Sequence, residues 1–295
     1  MRGPGARRTL LAAVFLAAVG GCASGEVPAA PRPRPALRIP PRPAGALTGS
    51  QFAAATSKAS GAERQQRAVD ELLAGNVPTF LRTLVPVALG AAGGTARQAA
   101  TAAADPDAWI WVLPDYLAIG SDEDFLRIPL TLPRAIEIAR AWDMYLPTRK
   151  MVDAVYHQAE VKLAPRPMPA GPQMRSSDYY LRHQRLIEAA RAGRPLGALT
   201  AGHKKDIVLT KRLLRRTDHI AIYGWHRSEG DAIQPLSTVH GARYADYSHG
   251  LRLVDALALY GGAERRLDTL LVDTTTAAIF SYEGELPRSL VVTMR

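Results

Sequence analysis

The feature that most constrains the fold is a proline-rich segment near the start of the chain. Residues 23–48 contain seven prolines that alternate with arginine and alanine. Proline fixes φ and lacks an N–H donor, so we expect residues 22–48 to form a stiff, extended, polyproline-like spacer. From about Thr48 the composition is that of a globular protein. The sequence therefore assigns the folded part to residues 49–295.

Residues 1–21 have the organisation of an export signal. Three arginines precede an apolar stretch, residues 10–19, that is too short to span a bilayer as a helix. The stretch leads into Val19-Gly20-Gly21-Cys22, which resembles the lipobox of bacterial lipoproteins and implies a lipid on Cys22. The alternative is an ordinary secretory signal with an unrelated cysteine. Both interpretations predict an exported protein, and the lipobox predicts a membrane partner.

Two further observations bear on compartment and chemistry. Cys22 is the only cysteine, so none remains for a disulfide, a thiolate nucleophile or a cysteine zinc site. Ala23 follows it, whereas lipoproteins retained at the inner membrane typically have aspartate there. The outer membrane is therefore the expected location if the source is Gram-negative.

The net charge of +10 is a weak indication of nucleic-acid binding, because its distribution is uneven. Residues 1–48 hold seven arginines and one glutamate, which leaves only +4 for the other 247 residues. A modest charge spread over a large domain does not favour a polyanion partner. We therefore expect no nucleic-acid partner.

The pattern of apolar residues predicts an α+β fold with a helix-rich first half and a strand-rich second half around one core. The length suits one domain, with residues 49–195 and 196–295 as two possible lobes. Thr131 and Thr148 are predicted N-caps of helices. At the C-terminus the sequence predicts a strand then a helix over residues 267–281, and a last strand over 290–293.

Five of the seven histidines lie between Gly202 and Gly250. Histidine is the side chain whose unperturbed pKa lies near neutrality, so it serves as a proton shuttle or a metal ligand. These histidines occur beside Asp, Lys, Tyr and Trp, the residue types of an active site. The sequence therefore predicts one polar site in this stretch.

The phrase Gly202-His203-Lys204-Lys205-Asp206 predicts a histidine–carboxylate pair. Asp206 can fix the tautomer of His203 and raise its basicity, while Lys205 polarises the substrate. The alternative is a solvated turn between a helix and a strand.

A second phrase, Tyr223-Gly224-Trp225-His226, has the composition of a strand end. An aromatic ring beside a histidine is suited to stack on a sugar or an amide, which makes Trp225 and His226 candidate substrate-binding residues. Trp225 can equally be a core residue.

The third phrase contains His240, Tyr244, Asp246 and His249. His240, Asp246 and His249 can converge if the intervening loop folds back, and two histidines with one aspartate are a known ligand set for a catalytic zinc. The sequence thus predicts an acid–base centre, with or without zinc, with Tyr244 polarising the substrate. Ser237 and Ser248 keep a serine-hydrolase alternative open, although the chain lacks the Gly-x-Ser-x-Gly motif.

Four phrases together resemble a set of uncharacterised secreted bacterial proteins: residues 115–122, 146–152, 202–206 and 244–250. No activity is established for that set, so the resemblance implies a shared site but no mechanism. We therefore expect a lipid-anchored envelope enzyme, a hydrolase of a wall or extracellular polymer such as peptidoglycan or a polysaccharide. The alternative is a non-catalytic glycan-binding or structural envelope protein.

Overall fold

The computed structural model describes Met1 and residues 30–90, 108–227 and 231–294. Most of the predicted export signal, and Cys22, lie outside these described residues. No helix in the described part of the chain has the length and apolar character needed to cross a membrane.

The largest sheet has six strands, β1 (Arg34–Pro35), β2 (Thr83–Leu89), β3 (Ala108–Val112), β6 (Met144–Tyr145), β13 (Val254–Tyr260) and β14 (Ala263–Arg266). Five of them lie in the order β1-β2-β3-β13-β14, and β6 also pairs with β13. Neighbouring strands in this sheet are antiparallel.

A four-stranded sheet in the order β11-β10-β9-β12 carries most of the predicted site residues. Its strands are β9 (Lys205–Ile207), β10 (Ile222–His226), β11 (Ala232–Ser237) and β12 (His249–Gly250). Two pairs of short strands complete the β structure: β4 (Ala118–Gly120) with β5 (Phe125–Arg127), and β7 (Val161–Lys162) with β8 (Thr200–Ala201).

The described residues also form eight helices. They are α1 (Gly49–Ala55), α2 (Gly61–Leu73), α3 (Leu132–Ala141), α4 (Arg149–Gln158), α5 (Ser177–Arg191), α6 (Leu267–Val272), α7 (Ala277–Phe280) and α8 (Arg288–Thr293). Thr131 and Thr148 are the N-cap residues of α3 and α4, as predicted, and the Thr148 side chain accepts a hydrogen bond from the Met151 amide.

The α+β class is confirmed, and strands occur in both halves of the chain. β13 pairs with β3, so the largest sheet joins the two halves of the chain. One hydrophobic cluster likewise extends from Ile39 to Met294. Residues 49–195 and 196–295 therefore share a sheet and a core.

The predicted strands in the C-terminal tail were wrong. Residues 267–272 and 288–293 are the helices α6 and α8. In α6 the buried residues are Leu267, Leu270 and Leu271, a spacing that places them on one helical face against the core. The leucine-rich composition fits either structure, and packing against the large sheet selects the helix.

Residues 22–48 were predicted to be a stiff, extended spacer outside the folded part, but from about Arg32 onward the chain packs on the domain. Arg34, in the edge strand β1, forms ion pairs with Asp255 and Glu264 at 2.9 and 2.7 Å. Its guanidinium lies 3.8 Å from the centre of the Trp111 ring. Pro35 is tolerated because an edge strand leaves one row of backbone N–H groups unpaired. Charge pairing and stacking thus hold this segment on the domain.

Candidate functional site

Strand β9 divides the predicted site between two faces of the four-stranded sheet. Lys205 is paired across the sheet with Gly224 and His249, whereas Asp206 is paired with Tyr223 and Gly250. Successive side chains of a strand point to opposite faces. The two adjacent polar residues therefore belong to different environments, which we call the surface cluster and the buried network.

The buried network begins at Asp115, which forms a bidentate ion pair with Arg127. The Arg127 Nη2 and Nε atoms lie 2.6 and 3.1 Å from the Asp115 carboxylate oxygens. Burial alone would raise the pKa of Asp115, but Arg127 and His203 hold it well below its usual range. Arg127 also pairs with Glu188 at 2.7 Å. This is a satisfied interior ion pair.

His203 is fully buried beside this ion pair. Its Nε2 atom lies 3.3 Å from Oδ1 of Asp115, and its ring meets the Tyr116 ring edge to face at 4.9 Å. Burial lowers the pKa of His203 to about 4, although Asp115 opposes the shift. His203 is thus a neutral interior group at pH 7, and its carboxylate neighbour is Asp115, not Asp206.

Asp206 faces a different set of partners. The Tyr116 hydroxyl donates to Asp206 Oδ2 at 2.7 Å, while Oδ1 has no hydrogen-bond partner among the described residues. Burial raises the pKa of Asp206 to about 6, against the lowering effect of the Arg252 guanidinium. The carboxyl group is therefore easier to protonate than an ordinary aspartate.

His226 completes the buried network at the end of β10. Its Nε2 atom lies 3.3 Å from Asp153 Oδ1, which also accepts a hydrogen bond from the Tyr223 hydroxyl at 2.7 Å. The Tyr156 ring stacks on the imidazole with a centroid distance of 4.3 Å. Only 3% of His226 is exposed, so its contacts are with the protein interior.

Lys204 lies between the buried network and the loop that carries the third phrase. It is 2% exposed, and its Nζ atom donates to the Tyr247 carbonyl oxygen at 2.5 Å. Burial, together with the Arg127 guanidinium, lowers the pKa of Lys204 to about 7. This amine therefore loses its proton more readily than an ordinary lysine.

The surface cluster comprises Lys205, Trp225, His240, Tyr244, Asp246, Ser248 and His249. Asp246 lies at its base: the Tyr244 hydroxyl donates to Oδ2 at 2.9 Å, and the Ser248 hydroxyl donates to Oδ1 at 2.6 Å. Burial acts to raise the pKa of Asp246, but His249 and these hydrogen bonds lower it overall. Asp246 is therefore ionised at neutral pH, and its hydrogen-bond partners are Tyr244 and Ser248.

Two histidines lie against Tyr244. The His240 ring stacks on the Tyr244 ring at 4.2 Å, and the His249 ring meets it edge to face at 5.7 Å. Burial lowers the pKa of His249 to about 4 and lowers that of His240. Both imidazoles are therefore neutral at pH 7, and His240, which is half-buried, is the one within reach of a ligand.

Lys205 and Trp225 form the other side of the surface cluster. The Lys205 ammonium lies 4.7 Å from the centre of the Trp225 ring, close enough for a cation–π contact. Trp225 has φ of +57°, a conformation that is strained for a bulky residue. It follows an irregularity in the pairing of β10 with β11. This irregularity turns the half-buried ring toward Lys205.

The structure thus distributes the nine nominated residues between two environments. Lys205, Trp225, His240, Tyr244, Asp246 and His249 belong to the surface cluster. His203, Asp206 and His226 belong to the buried network. None of the nine residues lines a cavity in the described part of the chain. In the described ranges no three His, Cys, Asp or Glu side chains are arranged to hold a metal ion.

Sequence reasoning missed three charged residues that hold the buried network together. Arg127, Asp153 and Arg252 are each the single charged residue within a short apolar run. All three are at most 3% exposed. A lone charge in an apolar run was therefore the available signal, since burying a charge is costly unless it has a partner.

Comparisons with known proteins found no relative of this chain. The chain matches no protein-family model, no curated protein and no solved structure. Its function must therefore be inferred from the site.

Proposed function

We propose that this chain is a lipid-anchored envelope hydrolase whose active site is the surface cluster. The observation that carries the proposal is the stack of half-buried His240 on Tyr244 above the buried, ionised Asp246. It combines a neutral imidazole, a phenol and a carboxylate that holds the phenol, groups that are suited to acid–base hydrolysis.

In this proposal His240 takes a proton from water as the water oxygen attacks the scissile bond. The same imidazole then returns the proton to the leaving group. The hydrogen bond from Tyr244 to Asp246 holds the phenol ring on which His240 stacks. Lys205 supplies positive charge for the oxygen that becomes negative, and Trp225 is a stacking wall for the substrate.

The proposed substrate is a polymer of the bacterial envelope, peptidoglycan or a polysaccharide. The lipobox-like segment before Cys22 supports this assignment, because a lipid anchor would hold the domain beside that material. The exposed part of the cluster has an aromatic ring beside a cation, a combination suited to sugars and amides. Zinc held by His240, Asp246 and His249 is a metal-dependent form of the same proposal, and it requires these side chains to rearrange, because as they lie they are not placed to hold a metal ion.

A non-catalytic glycan-binding protein is the second candidate function. The observation that favours it is the burial of the histidines: His203, His226 and His249 are at most 3% exposed. In that case the imidazoles stabilise the interior, and only Trp225 and Lys205 contact ligand.

The test is digestion of purified cell walls and of soluble polysaccharides by the full-length protein, with release of soluble fragments as the measurement. We expect His240→Ala to lower the rate by about 100-fold or more, the usual contribution of a general base. His219→Ala is the matched control, because the half-buried His219 pairs with exposed Asp218 outside the cluster. Metal analysis of the same preparation tests for stoichiometric zinc.

Full activity of His240→Ala would overturn the proposal. Binding of wall material by the unmodified protein without any release of fragments would instead favour the second candidate.

A further inference from the structure

A cavity of about 270 Å³ adjoins the surface cluster. Four arginines line it, Arg64, Arg134, Arg175 and Arg243, and no carboxylate side chain is among the lining residues. We call it the arginine pocket. Its volume is slightly below the ~300–1,000 Å³ of pockets that enclose a whole small molecule, so it suits one charged group of a larger ligand.

The charges of the four arginines are unevenly compensated. Arg64 is buried and donates to Ser177 Oγ and to the carbonyl oxygens of Ala59 and Arg175. Its contacts fix the position of the guanidinium without neutralising it.

Arg134 pairs with Glu137 at 2.6 Å. Arg175 and Arg243 have no hydrogen bond or ion pair to a carboxylate in the described part of the chain. Among the described residues the pocket therefore has an excess of positive charge. Guanidinium groups match carboxylate and phosphate oxygens with paired N–H donors, so an anion is the complementary ligand.

The N-terminus of helix α2 adds to the positive electrostatic potential of the arginine pocket. Gly61 and Ala62, in the first turn of this 13-residue helix, line the pocket, where the helix dipole favours negative charge. The Arg175 Nη2 atom lies 3.4 Å from the position that a Cβ on Gly61 would occupy. A guanidinium and a helix N-terminus thus face the same space.

The arginine pocket shares a wall with the surface cluster. Ala245 lines the pocket and lies between Tyr244 and Asp246 in the chain. The Arg175 guanidinium lies 5.6 Å from the centre of the Tyr244 ring. A ligand held by the arginines can therefore extend across Tyr244 toward His240.

We infer that the arginine pocket binds a carboxylate or phosphate group. The binding itself is independent of any reaction, whereas the assignment of that group to the substrate rests on the proposed hydrolysis. Together they specify an anionic envelope polymer, whose charged group occupies the pocket while the scissile bond lies at His240.

The test is calorimetric titration of the full-length protein with inorganic phosphate and with succinate. The variant is Arg175→Gln with Arg243→Gln, since both side chains are exposed and neither forms an ion pair in the described chain. The control is Arg182→Gln with Arg185→Gln, which removes two exposed charges from α5 outside the pocket. We expect at least tenfold weaker binding in the pocket variant and unchanged binding in the control.

Tight binding of phosphate alone or succinate alone identifies which anion the pocket takes. No binding of either by the unmodified protein overturns the inference, as does an equal loss in the control variant. Thermal unfolding with and without phosphate provides a second readout, because a ligand that binds only the folded state raises the melting temperature. Arg175→Gln alone serves if the double variant does not fold.

The anion binding by the arginine pocket and the proposed hydrolysis can be rejected independently of each other. If the unmodified protein binds the anion but releases no fragments from wall material, the arginine pocket is established and the proposed hydrolysis is rejected.

Discussion

The side chains of Lys205 and Asp206, neighbours in the sequence, leave strand β9 on opposite faces of the four-stranded sheet. Lys205 contacts the Trp225 ring, and Asp206 accepts the Tyr116 hydroxyl hydrogen bond at 2.7 Å. Lys205 therefore belongs to the surface cluster, where we propose the active site, and Asp206 belongs to the interior. Substitutions at the two positions should consequently affect different measurements.

The buried Asp115–Arg127 ion pair should be essential for stability. We expect Arg127→Met to lower the free energy of unfolding by about 3–5 kcal/mol, because it leaves Asp115 charged and uncompensated in the interior. Urea denaturation measures the change. In the matched control, Arg67→Met, the exposed pair with Glu63 is lost, and the expected cost is below about 1 kcal/mol.

Adding Asp115→Asn to Arg127→Met should recover part of the lost stability, since no isolated buried charge remains. A loss for Arg127→Met no greater than that for Arg67→Met would contradict this description of the pair.

Asp206 should make stability depend on pH between about 4 and 6. The folded-state pKa is about 6 and the unfolded value about 3.9, so the folded state binds the proton more tightly. The contribution of Asp206 to stability is therefore greatest below about pH 4 and declines as the pH rises to 6. Above pH 6, the ionised Asp206 lowers the free energy of unfolding by about 3 kcal/mol relative to its value below pH 4.

Asp206→Asn removes the titrating group and keeps an acceptor for Tyr116. The free energy of unfolding of Asp206→Asn minus that of the unmodified protein should therefore increase between pH 4 and pH 7. Urea denaturation at each pH measures this difference. A difference that stays constant over this range would show that Asp206 does not titrate there.

The backbone conformation of Trp225 predicts an unusual order of stability for two truncations. At φ of +57° an alanine is strained whereas a glycine is not, so we expect Trp225→Gly to be more stable than Trp225→Ala by about 1 kcal/mol. Both variants lose the same ring contact with Lys205, which makes them matched controls for each other. Chemical denaturation of the pair measures the difference, and the reverse order would indicate a different backbone conformation at this residue.

The sequence was sufficient to predict elements that depend on neighbouring residues, such as helix N-caps. Thr131 and Thr148 precede apolar runs with helical spacing, and both are helix N-caps. β13 was missed because its Leu and Ala residues fit a helix equally well, and its strand conformation depends on pairing with β3 and β14. The packing of Arg34 on Trp111 was also missed, because its partners lie far along the chain.

The sequence by itself determined the α+β class and the polar residues from which a site can be built. Only the tertiary structure decided which of them share a surface, because the alternation of β9 and the pairing irregularity before Trp225 set the direction of each side chain. It likewise decided that His203 lies beside Asp115, which is 88 positions away in the chain. Burial then determined the protonation of His203 and Asp206, since a pKa depends on the surroundings of a group and not on its sequence neighbours.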